Sequence, residues 1–296
     1  MQNETLSMQL IDALPHIRAL RTKTLVVKYG GNAMINDELK NAVIADIVFM
    51  AAVGIKTVVV HGGGPEIDAM LKAVGKESRF IDGLRYTDEE TMEIVQMVLC
   101  GKVNKNICAL IQEAGAQALG LCGIDGALLQ AERVTEKDLG LVGNIVNVNS
   151  DVLKTILASG AIPVISPVAV GIGSQAANGH LANGDQGKTL NVNADIAAAK
   201  IAAALCAEKL ILITDVRGIL RDVHNPQSLI SVASRQELAA LKKEGILRGG
   251  MIPKTDCCTM ALDGGVKNAH IIDGRIPHSL LTELFTAQGI GTLIKP

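Results

Sequence analysis

The chain lacks a marked excess of either charge: 28 Lys and Arg stand against 30 Asp and Glu in 296 residues, a net charge of -2. Nothing in that balance draws it to nucleic acid or to an anionic membrane, so small-molecule chemistry is the better default. Zinc-type spacing is missing as well. Cys100, Cys108, Cys122, Cys206, Cys257 and Cys258 form no CxxC pair and no Cys/His cluster, which reads as reduced thiols without a catalytic role. The N-terminus has neither the basic flank nor the apolar core of a secretory signal, and no segment reads as the about 18 apolar residues a membrane span needs. A cytoplasmic protein without a membrane is the expectation. Two familiar phosphate-binding patterns, GxxxxGK[ST] and the GxGxxG lid, are also absent.

With 48% hydrophobic residues, the chain can bury one large core or two joined lobes. Apolar β-rich runs at 24–28, 56–60, 161–166, 209–214 and 268–272 lack in/out alternation. Helical periodicity fills 36–53, 65–75, 87–114, 150–159, 194–206, 234–244, 251–264 and 278–287. That alternation predicts a three-layer αβα open sandwich with a mostly parallel central sheet. Thr87 followed by Glu90 is a capping-box pattern that would start a helix just after Arg85. Residues 172–190, rich in Gly, Asn, Gln and Ala, read as an irregular or hairpin excursion. A separate helix over 7–20, with Leu10, Ile11, Leu14, Ile17 and Leu20 on one face and Pro15 as a kink, precedes the first strand. It packs on its own subunit or contacts a partner.

Two glycine runs follow strands: Tyr29-Gly30-Gly31-Asn32 and His61-Gly62-Gly63-Gly64-Pro65. Glycines at strand-to-helix junctions let backbone N–H groups crowd a charged oxyanion, and the helix N-terminus adds partial positive charge. Lys28 ends the first strand, where open parallel sheets place ligands. Lys254 follows Gly249-Gly250-Met251-Ile252-Pro253 into the first turn of a helix, against the helix dipole, and such breaches of local rules mark function. Asp195 also falls at a helix start, where a cap is the plainer reading. Phosphoryl transfer asks mainly for alignment and charge neutralisation, which two lysines, loop amides and a metal can supply.

In order and spacing, these segments resemble the N-acetylglutamate kinases of the amino acid kinase family. The resemblance rests on Val26 to Met34, Val60 to Pro65, Asp82-Gly83-Leu84-Arg85, Gly101 to Lys105, Asn191 to Asp195, Thr214-Asp215-Val216, Gly249 to Lys254 and His270 to Arg275. It implies transfer of the ATP γ-phosphoryl group, with Mg2+ carried by the nucleotide and no metal held by the protein, to the side-chain carboxylate of N-acetyl-L-glutamate in arginine synthesis. By it, Lys28 and Lys254 stabilise the transition state and Asp195 positions them. Gly31, Gly63 and Gly64 offer amides to the phosphoryl group or substrate, and Arg85 and Asn191 hold the acyl amino acid. Thr214, Asp215, Val216, Gly218, Ile219, Ile246, Leu247 and Arg248 line the ATP pocket.

The implied division is a kinked oligomerisation helix over 1–21, an acceptor lobe over 22–200 and an ATP lobe over 201–296. Members with such a helix are arginine-inhibited hexamers, trimers of dimers, and His270, Glu283, Gly289 and Gly291, with Lys209, resemble their arginine pocket. A PII-type signalling protein as partner is unsupported. Arg217, Leu190 and Ile124 depart from the family pattern, which bears on fine contacts rather than on the reaction. Aspartate or glutamyl kinase chemistry, and a nonenzymatic arginine sensor, are the rival readings.

Overall fold

A computed structural model describes residues 2–34, 36–175 and 181–296. Runs rich in Val, Ile and Leu build an eight-stranded sheet. In chain order these are β1 (Thr24–Tyr29), β2 (Lys56–His61), β3 (Ala118–Cys122), β4 (Ile162–Ser166), β5 (Lys209–Thr214), β6 (Val232–Ser234), β7 (Asn268–Asp273) and β8 (Thr292–Lys295). Across the sheet they run β6-β8-β7-β5-β1-β2-β4-β3. All are parallel except β8, which is antiparallel to β7 and carries β6 with it. The central strands are buried on both faces, which is why their sequences are continuous apolar runs.

The helices are α1 (Gln2–Leu20), α2 (Asp37–Ala52), α3 (Gly64–Ala73), α4 (Glu89–Gln96), α5 (Asn104–Glu113), α6 (Ser150–Ala158), α7 (Ala194–Ala204), α8 (Arg235–Lys243), α9 (Met251–Asp263) and α10 (Ser279–Phe285). Several start on side-chain caps: Asn36 on α2, Asn193 on α7 and a full capping box of Ser234 and Glu237 on α8. Between α4 and α5 the chain widens into a π-turn over Met97–Val103, so that 89–113 is one continuous helical rod. A smaller four-stranded sheet, in the order Thr189–Asn191, Val168–Gly171, Leu129–Arg133, Gly143–Val148, flanks the main one.

Three expectations need correction. The cap before α4 is Asp88, whose Oδ1 accepts from Thr91 N at 2.8 Å. Thr87 is instead turned inward, its Oγ1 donating to Arg85 O at 2.8 Å. The rod over 89–113 is, by length and composition, apolar enough to cross a membrane, with a mean hydropathy of 1.3. Half of that window is buried, packed against α2, α3 and β3, so this is a core helix that a simple count of apolar residues overlooks. Sequence periodicity also missed β3, β6 and β8: β3 is interrupted by Gly120, β6 is an edge strand of three residues and β8, just inside it, has only four. The excursion over 172–190 does contain a hairpin, Ser174–Gln175 against Leu181–Ala182; its residues 176–180 lie outside the described residues.

From β1 the chain crosses outward to β2 on one side, and from β5 it runs on the other side to β6 at the sheet edge before returning to β7. The carboxyl ends of β1 and β5 therefore flank a crevice where the crossovers diverge, the place open α/β sheets bind ligands.

Candidate active site

Lys28 sits near the end of β1, opposite Leu212 of β5 and Val60 of β2. Its Nζ lies 3.0 Å from Asp195 Oδ1, and both side chains are about one-seventh exposed. Asp195 is the second residue of α7. The capping that its position suggested is done by Asn193, whose Oδ1 accepts from the N–H groups of Asp195 and Ile196 at 2.9 and 3.1 Å. That frees the carboxylate to face Lys28. Its Oδ1 is buried and makes no hydrogen bond, so the pair is ionic and the oxygen keeps capacity for a second cation.

Lys254 lies in the first turn of α9, and its Nζ reaches back to Gly250 O at 3.5 Å. Among the described residues no ion pair joins it to Asp195. Lys28 and Lys254 nevertheless line one cavity of about 590 Å³, together with Gly31 and all eight residues expected at the nucleotide: Thr214, Asp215, Val216, Gly218, Ile219, Ile246, Leu247 and Arg248. Arg217, within the expected nucleotide segment, lines it too, as does Arg275, which was not anticipated as a site residue. Five cations against Asp215 make this cleft suited to a polyanion. Arg275 is held by a bidentate pair with Asp273, at 2.9 and 2.8 Å. Gly31 has φ +72, and a Cβ there would lie 2.6 Å from Asp215 Oδ1, so the first glycine turn admits no other residue without displacing that carboxylate.

A second, smaller cavity of about 200 Å³ is lined by Gly63, Gly64, Arg85 and Asn191. Arg85 is buried and fixed on several sides. Its Nη1 donates to Asp68 Oδ1 at 2.6 Å and to Ser78 Oγ at 2.7 Å, its Nη2 points to Gly64 O at 3.4 Å, and the guanidinium stacks 4.7 Å over the Phe80 ring. The guanidinium in turn holds the Asp68 carboxyl below its ordinary range against the opposing effect of partial burial. Asn191 Nδ2 donates to Thr87 Oγ1 at 3.1 Å, linking it through Thr87 to the Arg85 backbone. Asp195 lies between the two spaces, its neighbour Ala194 in the wall of this cavity and its ion-pair partner Lys28 in the wall of the larger one.

The amino acid kinase family model matches residues 23–273. The chain belongs to the amino acid kinase family. Similar family members include the acetylglutamate kinase of Clostridium kluyveri (strain NBRC 12016), 53% identical over 286 residues and 96% of each chain. That of Thermoanaerobacter pseudethanolicus is 54% identical over 96% of this chain and 91% of its own. Among solved structures, N-acetylglutamate synthase from Neisseria gonorrhoeae with coenzyme A and N-acetyl-glutamate superposes with a TM-score of 0.80 at 29% identity, covering 98% of this chain. This chain spans 63% of the length of that synthase. The same synthase has been solved with coenzyme A and L-arginine, with a TM-score of 0.77 at 27% identity. Carbamate kinase from Giardia lamblia bound to AMP-PNP shares the family fold, with a TM-score of 0.63 at 17% identity.

The third group of expected residues gathers at the far side of the same family fold. His270 and Glu283 are buried, with Nδ1 2.6 Å from Glu283 Oε1. Lys209 Nζ donates to His270 Nε2 at 2.9 Å, which leaves the proton on Nδ1 to be donated to the carboxylate. Burial holds His270 below its ordinary pKa and Lys209 below its own. Glu283 Oε2 accepts from the N–H groups of Ile290 and Gly291 at 2.7 and 2.9 Å, and Gly289, at φ +61, passes close to it. On α1, Ile17 and Leu20 pack into the core while Leu10, Ile11 and Leu14 stay exposed.

Proposed function

We propose that this chain catalyses ATP-dependent phosphorylation of the side-chain carboxylate of N-acetyl-L-glutamate, giving the 5-phosphate in arginine biosynthesis. The observation that carries the reading is that Lys28 and Lys254 line one cavity while Asp195, paired with Lys28, directly follows Asn193 and Ala194 in the wall of the next. ATP with Mg2+ fits the cationic cleft, its phosphates toward Gly31, Lys28 and Lys254. The ion is taken as carried by the nucleotide, where it neutralises phosphate charge.

N-acetyl-L-glutamate takes the smaller cavity. Arg85 offers its remaining N–H donors to the α-carboxylate, Asn191 pairs with the acetamido group, and the Gly63 and Gly64 amides face the carboxylate that attacks. Asp195 sets the Lys28 ammonium against the transferring group, and closure of the ATP lobe (201–296) on the acceptor lobe (22–200) brings Lys254 to the spare Oδ1. No group needs to become covalently linked; alignment and charge carry the step. Lys28→Ala and Lys254→Ala should each lower turnover by about a hundredfold or more with unchanged melting, since removal of one transition-state donor typically costs 10² to 10³. Normal turnover in either variant removes its assigned role.

The deciding experiment is phosphorylation measured across N-acetylglutamate, glutamate and aspartate, with and without arginine. Preference for a free amino acid would overturn the substrate assignment, and arginine binding without ATP turnover would favour the nonenzymatic sensor. Arginine inhibition through Lys209, His270, Glu283, Gly289 and Gly291 belongs to the same proposal, supported by the buried carboxylate there and by exposed apolar residues on α1 for interlacing three dimers. Deleting residues 1–20 should give dimers with weakened inhibition in light scattering and kinetics. A cytoplasmic setting accords with six unpaired thiols.

A further inference from the structure

His61, the last residue of β2, is fully buried directly beneath the second glycine turn, away from substrate contact. Its Nδ1 lies 2.8 Å from Gly62 O and its Nε2 3.1 Å from Asn104 Nδ2. The proton can be placed by elimination. Asn104 Nδ2 also faces Leu121 O and Val164 O at 3.2 and 2.9 Å, and Lys105 Nζ approaches Asn104 Oδ1 at 3.2 Å. Two carbonyls can only accept, so that end of the amide must be the NH2 group, whose two hydrogens are shared among the carbonyls and Nε2, and an Nε2 that faces a donor carries no proton. Nε2 is then bare, and the ring proton sits on Nδ1, donated to Gly62 O. Burial, with Lys105 nearby, holds the imidazole neutral by pulling its pKa down to about 4.

The consequence falls on the next amide. Every described peptide bond is trans, so the Gly63 N–H points opposite to the Gly62 carbonyl. With that carbonyl drawn down to His61 and the Gly62 N–H spent on Tyr29 O at 2.9 Å, the Gly63 N–H is turned away from the core, and no backbone hydrogen bond among the described residues begins at it. Gly62, Gly63 and Gly64 all line the smaller cavity.

We propose that His61, locked by Asn104 as the neutral Nδ1–H tautomer, is a positioning residue that fixes the Gly62–Gly63 peptide so that its N–H is aimed at the reacting oxyanion. The proposal rests on the acceptor assignment above and adds to it the device that holds the turn. The test pairs two isosteres. An Asn side chain places its NH2 where Nδ1 stands, and a Gln side chain reaches where Nε2 stands. His61→Asn should keep kcat within about tenfold of the parent, whereas His61→Gln should lose about a hundredfold in kcat with ATP KM unchanged, the effect of misaiming one oxyanion donor. Equal losses, or an undiminished His61→Gln enzyme, would overturn it. If the parent itself fails to phosphorylate N-acetylglutamate, the acceptor assignment has failed instead. A readout that needs no activity, and that decides if His61→Gln does not fold, is the ¹⁵N spectrum of histidine-labelled protein from about pH 5.5 to 8. It should show, besides the Nδ1–H signal of His270, a second histidine held as neutral Nδ1–H and assigned to His61 by its disappearance in His61→Asn, and an Nε2–H tautomer for that signal would refute the idea.

Discussion

The two glycine turns look alike as letters and are built on opposite principles. At the first, glycine is required by space and conformation: Gly31 stands at φ +72 against the carboxylate of Asp215, which belongs to the segment after β5. At the second, a Cβ on Gly62 would meet nothing within 4 Å, and one on Gly64 would only touch Arg85 Nη2 at 3.9 Å. Only Gly63 is hemmed in, by Leu99 at 2.6 Å. The first turn is thus a joint between the two halves of the sheet. The second is an open surface held from below by His61 and Asn104. Glycine in a phosphate-type loop answers two different needs, close packing in one case and unobstructed approach in the other.

That contrast can be broken at the first turn. Gly31→Ala pays about 1–2 kcal/mol for a left-handed alanine and pushes on Asp215. Because an ångström of misplacement can cost about a hundredfold, turnover should drop at least that far. Steady-state kinetics alongside a thermal melt will check it, and a near-normal kcat would mean that the joint is looser than drawn.

At the second turn the largest effect should come from acid. The unfolded His61 takes up a proton near its ordinary 6.5, whereas the folded one waits until about 4. The stability present above pH 6.5 is therefore lost as pH falls toward 4, on the order of 3 kcal/mol for this group. Urea melts across that range should lose correspondingly less in His61→Asn than in the parent, and parallel curves would contradict the buried neutral ring.

Smaller effects are expected at the rim. Asp68→Ala removes the carboxylate on Arg85 Nη1 and should raise the KM for N-acetylglutamate about tenfold with kcat within about twofold, worth about 1.4 kcal/mol. An unchanged KM would show that Ser78 and Phe80 suffice to hold the guanidinium. Smallest of all, Gly62→Ala should leave stability within about 0.5 kcal/mol, as for surface changes that meet nothing. A large loss would mean that the open turn is tighter than its geometry indicates.

Legibility in the sequence followed the same divide. Lys28 and the glycines were readable because strand ends and helix starts are local patterns, whereas the nucleotide-side residues came only with the resemblance; the two cavities between them gather both groups. The role of Asp195 was obscured by its helix-start position, which Asn193 turned out to serve. Asn104 could not be read at all: it lies mid-helix, 43 residues from His61, and meets it only through tertiary packing. Arg275 escaped for a related reason, being a loop cation whose direction depends on Asp273 and on the fold around the cleft. The small flanking sheet was invisible because its strands are short and interrupted by turns.

The π-turn before Asn104 has a consequence for chain length. The Asn104 N–H bonds to Leu99 O, five residues back, so this stretch carries one more residue than an ordinary winding would hold. Gly120 on β3 leaves the niche into which the Asn104 amide fits. Excising a single residue between 97 and 103 would let the rod regularise, and everything beyond the cut would swing by about 100° around its axis. The amide would leave its niche and the ring below the loop would be free to swap its proton. Over these seven positions the number of residues matters more than their identity.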